Sequence, residues 1–194
     1  MARVVALLVF DGFADWEPAF VLTGLRRWGG KTVTTAGYDL TPVTSMGGLR
    51  VVPDRTLADL SPRETEIFIL PGGDVWETGY PADLLDPVLA RMRAAGVPIA
   101  VICGATIAAA RAGLFRGRRH TSNGRAFLER HAPGAGERGE YAESLAVTDD
   151  GVISASGLGA VEFAGEIFAA LHVFGADALR QYAEMYREGR MPAS

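Results

Sequence analysis

Val97-Pro98-Ile99-Ala100-Val101-Ile102-Cys103-Gly104-Ala105-Thr106-Ile107-Ala108-Ala109-Ala110 changes character at its middle: an apolar run reaches a cysteine and passes straight into a stretch of small helix formers. The run reads as a buried strand and the remainder as a helix, so Cys103 stands at a strand-to-helix turn, a nucleophile elbow in outline. Such a turn lifts the side chain out of the sheet beside the free N–H groups of a helix N-terminus, where a thiolate is stabilised. That predicts a thiol that ionises more readily than free cysteine. Gly104 and Ala105 suit a sharp turn, because a larger residue would meet the approaching strand or block a substrate. Cys103 is the only cysteine of the chain. The alternative reading is a small apolar side chain packed at a strand end, since free cysteine is among the most buried residue types.

Outward from the elbow, short runs rich in Val and Ile alternate with helix-length stretches, the pattern of a mostly parallel sheet covered by helices on both faces. Strands are predicted over Val4–Phe10, Lys31–Ala36, Glu66–Leu70 and Pro98–Ile102, with a short extended piece over Leu49–Pro53. Helices are predicted over Pro18–Trp28, Asp83–Ala95, Val161–Phe174 and Ala178–Arg187, with a shorter one over Phe127–Arg130. Leu114–Gly124 reads as turn-rich and residues 133–136 as a loop. Ser144–Thr148 and Val152–Ala155 flank Asp149-Asp150-Gly151 and read as a hairpin.

Parallel α/β sheets place their sites at the carboxyl ends of strands. Three such ends carry chemistry here: Asp11-Gly12-Phe13-Ala14-Asp15-Trp16-Glu17-Pro18, Pro71-Gly72-Gly73-Asp74, and Cys103. A carboxylate at the first end can face the sulfur. Glu17 precedes a proline, which biases its backbone away from the helical region and sets it at the helix mouth. The alternative is an acid that complements the helix dipole, a role for which Asp15 is an equal candidate. Asp74 and Trp76 are expected to rim the same pocket, as is Trp16.

The chain has 194 residues, 48% hydrophobic and 22% charged, enough for one domain, 1–194, with a full core. A formal net charge of -4 gives no general attraction to nucleic acid or to an anionic membrane. One cysteine cannot form an internal disulfide, and a reduced thiol fits the cytoplasm. The apolar run Val4–Phe10 is too short to span a membrane and lacks a small-residue cleavage site after it. Three scattered histidines and a single cysteine offer no ligand spacing for zinc, so no metal and no cofactor is expected.

Glu17 after the first strand, Leu-Pro-Gly-Gly at 70–73, Ile-Cys-Gly-Ala at 102–105, and Ser156-Gly157 with Glu162-Phe163-Ala164 together resemble the ThiJ/PfpI family. That family includes the Parkinson's-associated deglycase and belongs to the class I glutamine amidotransferase-like superfamily. Each motif is modest by itself, but four in this order are specific, and they run from about residue 3 to about residue 172. The resemblance implies a flavodoxin-like three-layer sandwich, a reactive elbow cysteine at Cys103, and an acid at Glu17 that hydrogen-bonds the sulfur. It also implies an oxyanion site made by the backbone N–H groups of Gly73 and Gly104, and a homodimer.

Departures from the family pattern are equally informative. Many relatives carry a histidine directly after the cysteine, where this chain has Gly104. Others carry it in a Thr-x-His segment after the elbow helix, and the matching stretch Arg119-His120-Thr121-Ser122-Asn123 puts Asn123 there. A neutral amide cannot act as general base. The acid that would orient such a histidine is replaced by Thr23. Ala160-Val161-Glu162 lacks the late histidine that glutamine hydrolysis needs. His120 could cover the sulfur if the register of its turn-rich segment slid; we read it instead as a surface residue ending the basic loop Arg116-Gly117-Arg118-Arg119. His131 and His172 read as structural, the latter within an apolar helix.

These readings favour a cysteine-dependent enzyme acting on small electrophilic carbonyl compounds, of the glyoxalase, deglycase or hydratase kind, a hydrolase or lyase without a complete Cys-His-Asp/Glu triad. In that scheme Cys103 attacks, Glu17 shuttles the proton, and Gly73 and Gly104 hold the oxyanion. The competing class is a redox sensor or stress-response protein that works through oxidation of Cys103. An amidotransferase-like or peptidase-like hydrolase comes third, because no histidine completes a triad.

Overall fold

The computed structural model of the protein describes residues 3–134 and 139–191. The first apolar run forms β1 (Val4–Leu8), α1 (Trp16–Arg27) follows, and the chain returns as β2 (Val33–Gly37) parallel to β1. A small hairpin of β3 (Val43–Thr44) and β4 (Arg50–Val51) precedes β5 (Arg55–Thr56), which pairs with β2 at the sheet edge. The chain then crosses back to lay β6 (Thr65–Leu70) on the other side of β1. The single-turn α2 (Val75–Thr78) and α3 (Ala82–Ala94) lead to β7 (Ile99–Ile102), beside β6, and α4 (Ala105–Arg111) leaves the elbow. β8 (Arg119–His120), α5 (Arg125–His131) and β9 (Glu140–Tyr141) fill the middle, β8 and β9 pairing in parallel. The antiparallel hairpin of β10 (Ala146–Asp149) and β11 (Val152–Ala155) completes the sheet, and α6 (Ala160–Ala170) and α7 (Ala176–Glu188) close the chain.

The seven-stranded sheet has the order β10-β11-β7-β6-β1-β2-β5, parallel throughout except for β10. Right-handed crossovers that travel in opposite directions from β1 and β6 put α1 and α3 on opposite faces. The sheet is therefore covered on both sides, and β7 accordingly has no polar residue and no exposed one. The strand order reverses between β1 and β6. The carboxyl ends of β1, β6, β7 and β11 thus open onto one crevice at a topological switch point, where sheets of this kind bind ligands.

Several boundaries differ from the sequence expectation for physical reasons. α1 begins at Trp16, so Glu17 lies inside its first turn instead of at the helix mouth. Pro18 is tolerated there because first-turn N–H groups have no intrahelical acceptor. α6 ends at Ala170, and His172 follows it with a left-handed φ of 53°, outside the helix rather than within it. The single-turn α2 and the two-residue strands β3, β5, β8 and β9 are too short for periodicity to register. Residues 135–136 of the expected loop, and Met1-Ala2, lie outside the described residues.

α1 and α6 pack face to face with Gly24 against Phe168, both buried. A Cβ at Gly24 would sit 2.2 Å from the Phe168 ring carbon Cζ. Helix propensity alone would make Gly24→Ala stabilising by about 1 kcal/mol. Overpacking of about 1–3 kcal/mol opposes it, and because Phe168 is enclosed, overpacking wins. Urea denaturation should show a lower midpoint for Gly24→Ala than for the parent.

Candidate functional site

Cys103 follows the last residue of β7 with φ 59°, a left-handed conformation that costs a non-glycine residue about 1–2 kcal/mol. Its surroundings hold it there. The Cys103 N–H donates to Ala155 O at 2.9 Å, and its own carbonyl accepts from Thr106 N–H at 3.2 Å and Thr106 Oγ1 at 2.6 Å. The backbone is thus tied to β11 on one side and to the first turn of α4 on the other, which leaves the sulfur projecting into the crevice, half-buried.

Glu17 reaches the same point from α1 and is fully buried. Its Oε2 accepts from Gly72 N–H at 2.5 Å across the switch point between β1 and β6. Oε1 makes no ordinary hydrogen bond among the described residues and lies beside Cys103. Gly72 and Gly157 clamp the pair: a Cβ on Gly72 would meet both Glu17 carboxyl oxygens and Cys103 Cβ within 2.8 Å, and one on Gly157 would meet the sulfur at 3.0 Å. Any larger residue at either position would force the carboxyl and sulfur apart.

Burial raises the Glu17 carboxyl above the usual range, against the opposing pull of the Gly72 N–H and of Cys103. Burial, then the Glu17 charge, push the Cys103 thiol up to about 11, although Asn123 and the Gly104 N–H favour its anion. The thiol lowered by a helix N-terminus, expected from the sequence, is therefore corrected. α4 has only 7 residues, and a buried carboxylate stands beside the sulfur. Two adjacent negative charges are strongly disfavoured in such a site, so the pair titrates as a unit and carries a single charge between its two steps.

Asn123 completes the sulfur's surroundings. Its Nδ2 donates to Cys103 Sγ at 3.2 Å, and its Oδ1 accepts from Gly157 N–H at 2.8 Å. The Gly73 N–H has no acceptor among the described residues, and the Gly104 N–H is directed at the sulfur. Cys103, Glu17, Gly73, Gly104 and Asn123 are thus brought together.

Other sequence candidates are not. Trp76 is wholly buried, donates from Nε1 to Pro71 O at 2.9 Å, and packs edge-on against Phe10, so it supports the elbow from below instead of rimming a pocket. A Cβ on Gly104 would meet its indole at 2.9 Å, which is the collision that keeps this position small. Asp74 precedes α2 without a side-chain capping bond and is exposed, and Trp16 is 53% exposed at the start of α1. His120 is fully buried, correcting its reading as a surface residue: its ring stacks on Phe115 at 4.5 Å, and Nδ1 lies 3.1 Å from Arg118 O. Burial lowers its pKa, which disfavours the charged ring. Thr23 is exposed on α1 and lines a cleft with Tyr182 and Tyr186. His131 lies 3.5 Å from Glu77. A groove of about 880 Å³ between α6, α7 and β10 holds neither Cys103 nor Glu17. Among the described residues no cluster of three His, Cys, Asp or Glu could hold a metal.

Residues to which the sequence assigns no role also matter. Gly157 clamps the sulfur and orients Asn123; its Ser-Gly motif at the end of β11 is the signal that points to it. Asp15, read only as a dipole acid, accepts from Ser45 Oγ at 2.5 Å and Gly47 N–H at 3.2 Å, fixing the β3–β4 hairpin against the start of α1, the helix that carries Glu17.

The model of the DJ-1/PfpI family matches residues 3–170. The chain belongs to the DJ-1/PfpI family. It is 32% identical over 193 residues to a Bacillus subtilis protein named uncharacterized protease YoaZ, covering 94% of this chain and 90% of that one. It is 29% identical over 118 residues to deglycase TK1284 of Thermococcus kodakarensis, covering 61% of this chain and 70% of the relative. The crystal structure of the DJ-1 superfamily protein Atu0886 from Agrobacterium tumefaciens superposes with a TM-score of 0.87 at 36% identity, over 98% of this chain and 100% of that one. The flavodoxin-like sheet is thus that of a DJ-1/PfpI protein.

The coupled pair makes a pH prediction. In the parent, the rate of Cys103 alkylation by iodoacetamide should rise in two steps, the upper near 11, where the thiol must ionise beside a charged Glu17. Glu17→Gln removes that charge, so the profile should collapse to a single inflection well below the parent's upper step. An unchanged upper step would show that Glu17 does not govern the sulfur.

Proposed function

We propose that the protein is a cysteine-dependent enzyme acting on small electrophilic carbonyl compounds, of the glyoxalase, deglycase or hydratase kind. The observation that carries this reading is the buried Glu17 carboxyl against the Cys103 sulfur, with the Gly73 N–H left without an acceptor among the described residues. In the first step the thiol proton passes to Glu17 as the sulfur attacks the carbonyl carbon. A C–S bond forms, the C=O π pair moves to oxygen, and the N–H groups of Gly73 and Gly104 hold the oxyanion until Glu17 returns the proton. A hemithioacetal results, with no net change in charge. The name of the deglycase from Thermococcus kodakarensis supports the substrate class.

A peptidase reading, which the name of the Bacillus subtilis relative invites, has less support because none of the three histidines is a partner of Cys103. A second reading is a redox sensor in a stress response. Peroxide would take the thiolate to the sulfenate and then the sulfinate, and the Asn123 and Gly104 donors at the sulfur favour such anions. In either reading we propose a single domain that works as a cytoplasmic homodimer without cofactor. No helix among the described residues is long and apolar enough to cross a membrane.

A panel of small aldehydes and α-oxoaldehydes tests the enzyme reading. Parent protein should turn over at least one, Cys103→Ser should abolish turnover, and Glu17→Gln should lower it by about a hundredfold or more, the range for losing acid–base help. No turnover by the parent, together with clean peroxide conversion of Cys103 to one stable oxidised form, would establish the sensor instead.

A further inference from the structure

We infer that Asn123 is a catalytic residue of this site: a fixed N–H donor that stabilises the Cys103 sulfur as it becomes an anion and, unable to accept its proton, leaves that proton to Glu17. The inference concerns the sulfur's charge and is independent of which carbonyl compound, if any, is the substrate.

The direction of the amide follows from its surroundings. Amide oxygen and nitrogen are distinguished by their partners. Oδ1 accepts from the Gly157 N–H at 2.8 Å; turning the amide over would set an NH₂ against that N–H and a carbonyl oxygen against the sulfur. Only the observed orientation satisfies both ends, so Nδ2, 3.2 Å from Sγ, can do nothing but donate. A donor at that distance strengthens as the sulfur gains charge. With Oδ1 already engaged and the amide neutral, Asn123 has no site for the sulfur's proton.

The segment that carries Asn123 is built in rather than draped over the site. Thr121 N–H donates to the buried Ser154 Oγ at 2.9 Å. Thr106 Oγ1 has a single hydrogen, which goes to Cys103 O at 2.6 Å, so the 2.6 Å contact between Ser122 Oγ and Thr106 Oγ1 must be donated by Ser122. Tyr141 Oη donates to Ser122 O at 3.3 Å, with the Arg125 guanidinium 4.8 Å above its ring. One chain of hydroxyl groups therefore links the carbonyl of Cys103 to the residue before Asn123. The amide and the sulfur move together, which is the preorganisation that a charge-stabilising donor needs.

The remaining groups around the sulfur define what Asn123 alone supplies. Glu17 faces it from α1 and can take or give a proton; the Gly104 N–H faces it from the start of α4 and can only donate. The buried His120, engaged by Phe115 and Arg118 O, forms no hydrogen bond to the sulfur.

The test is the pH profile of Cys103 alkylation by iodoacetamide in the full chain, for parent, Asn123→Ala and Asn123→Asp. Asn123→Ala removes the donor, so its alkylation profile should move to higher pH by about one unit, with the neutral-pH rate falling about tenfold. Asn123→Asp keeps the shape and the Gly157 contact but replaces the donor with a second carboxylate, and its neutral-pH rate should fall further than that of Asn123→Ala. Asn123 is exposed, so thermal denaturation of both variants should stay near the parent's and separate a lost charge effect from a lost fold. Folded variants that alkylate with the parent's profile would overturn the inference. Because no carbonyl substrate is involved, that failure would leave the proposed turnover untouched, and a failure of turnover would leave this result standing.

Discussion

A carboxyl group that loses contact with water must be satisfied by its neighbours, and at Glu17 those neighbours are the Gly72 N–H and the Cys103 sulfur. Much of the site follows from that constraint. The switch point between β1 and β6 is the place where a residue of α1 can meet the backbone beyond β6, and the glycines at 72 and 157 keep the approach open. The elbow then delivers a sulfur, not a hydrocarbon, to the oxygen that Gly72 does not satisfy. A left-handed Cys103 is retained because β11 and Thr106 hold both sides of its peptide.

Charge decides how the arrangement works. Burial raises both the carboxyl and the thiol, and neither can ionise freely beside the other. One mobile proton and one negative charge thus occupy the space between Oε1 and Sγ. The sulfur has N–H donors from Asn123 and Gly104, whereas Oε1 has none among the described residues. The Gly72 N–H favours the charge on Glu17, whereas the Asn123 and Gly104 donors favour it on sulfur, so the thiol proton has a short path to Glu17 as the sulfur reacts. None of the three histidines is hydrogen-bonded to the sulfur, so Glu17 is the side chain placed to exchange its proton.

Long periodic segments are legible in the amino-acid sequence: β1, β6, β7, α3 and the β10–β11 hairpin lie close to where their apolar patterns place them, and the elbow is read directly from the junction at Cys103. What is not legible depends on partners distant in sequence. Trp76 sits among Asp74, Glu77 and Thr78, a local context that suggests a rim, yet Phe10 and Tyr80 enclose it. His120 ends a basic run, but in a strand successive side chains point to opposite sides, so Arg119 faces out while His120 turns onto Phe115. The direction of the thiol's shift is hidden for the same reason. A helix N-terminus is a local feature, whereas the burial and the carboxylate of α1 that outweigh it come from distant parts of the chain.

The most direct test of a charge shared between Glu17 and Cys103 is ultraviolet and infrared spectroscopy across the pH range, comparing the parent with Glu17→Gln and Cys103→Ser. The expected result is ultraviolet thiolate absorbance that Cys103→Ser removes and that appears at lower pH in Glu17→Gln than in the parent, with an infrared carboxylate band in the parent that Glu17→Gln abolishes. A parent whose thiolate absorbance rises at the same pH as that of Glu17→Gln would contradict the account.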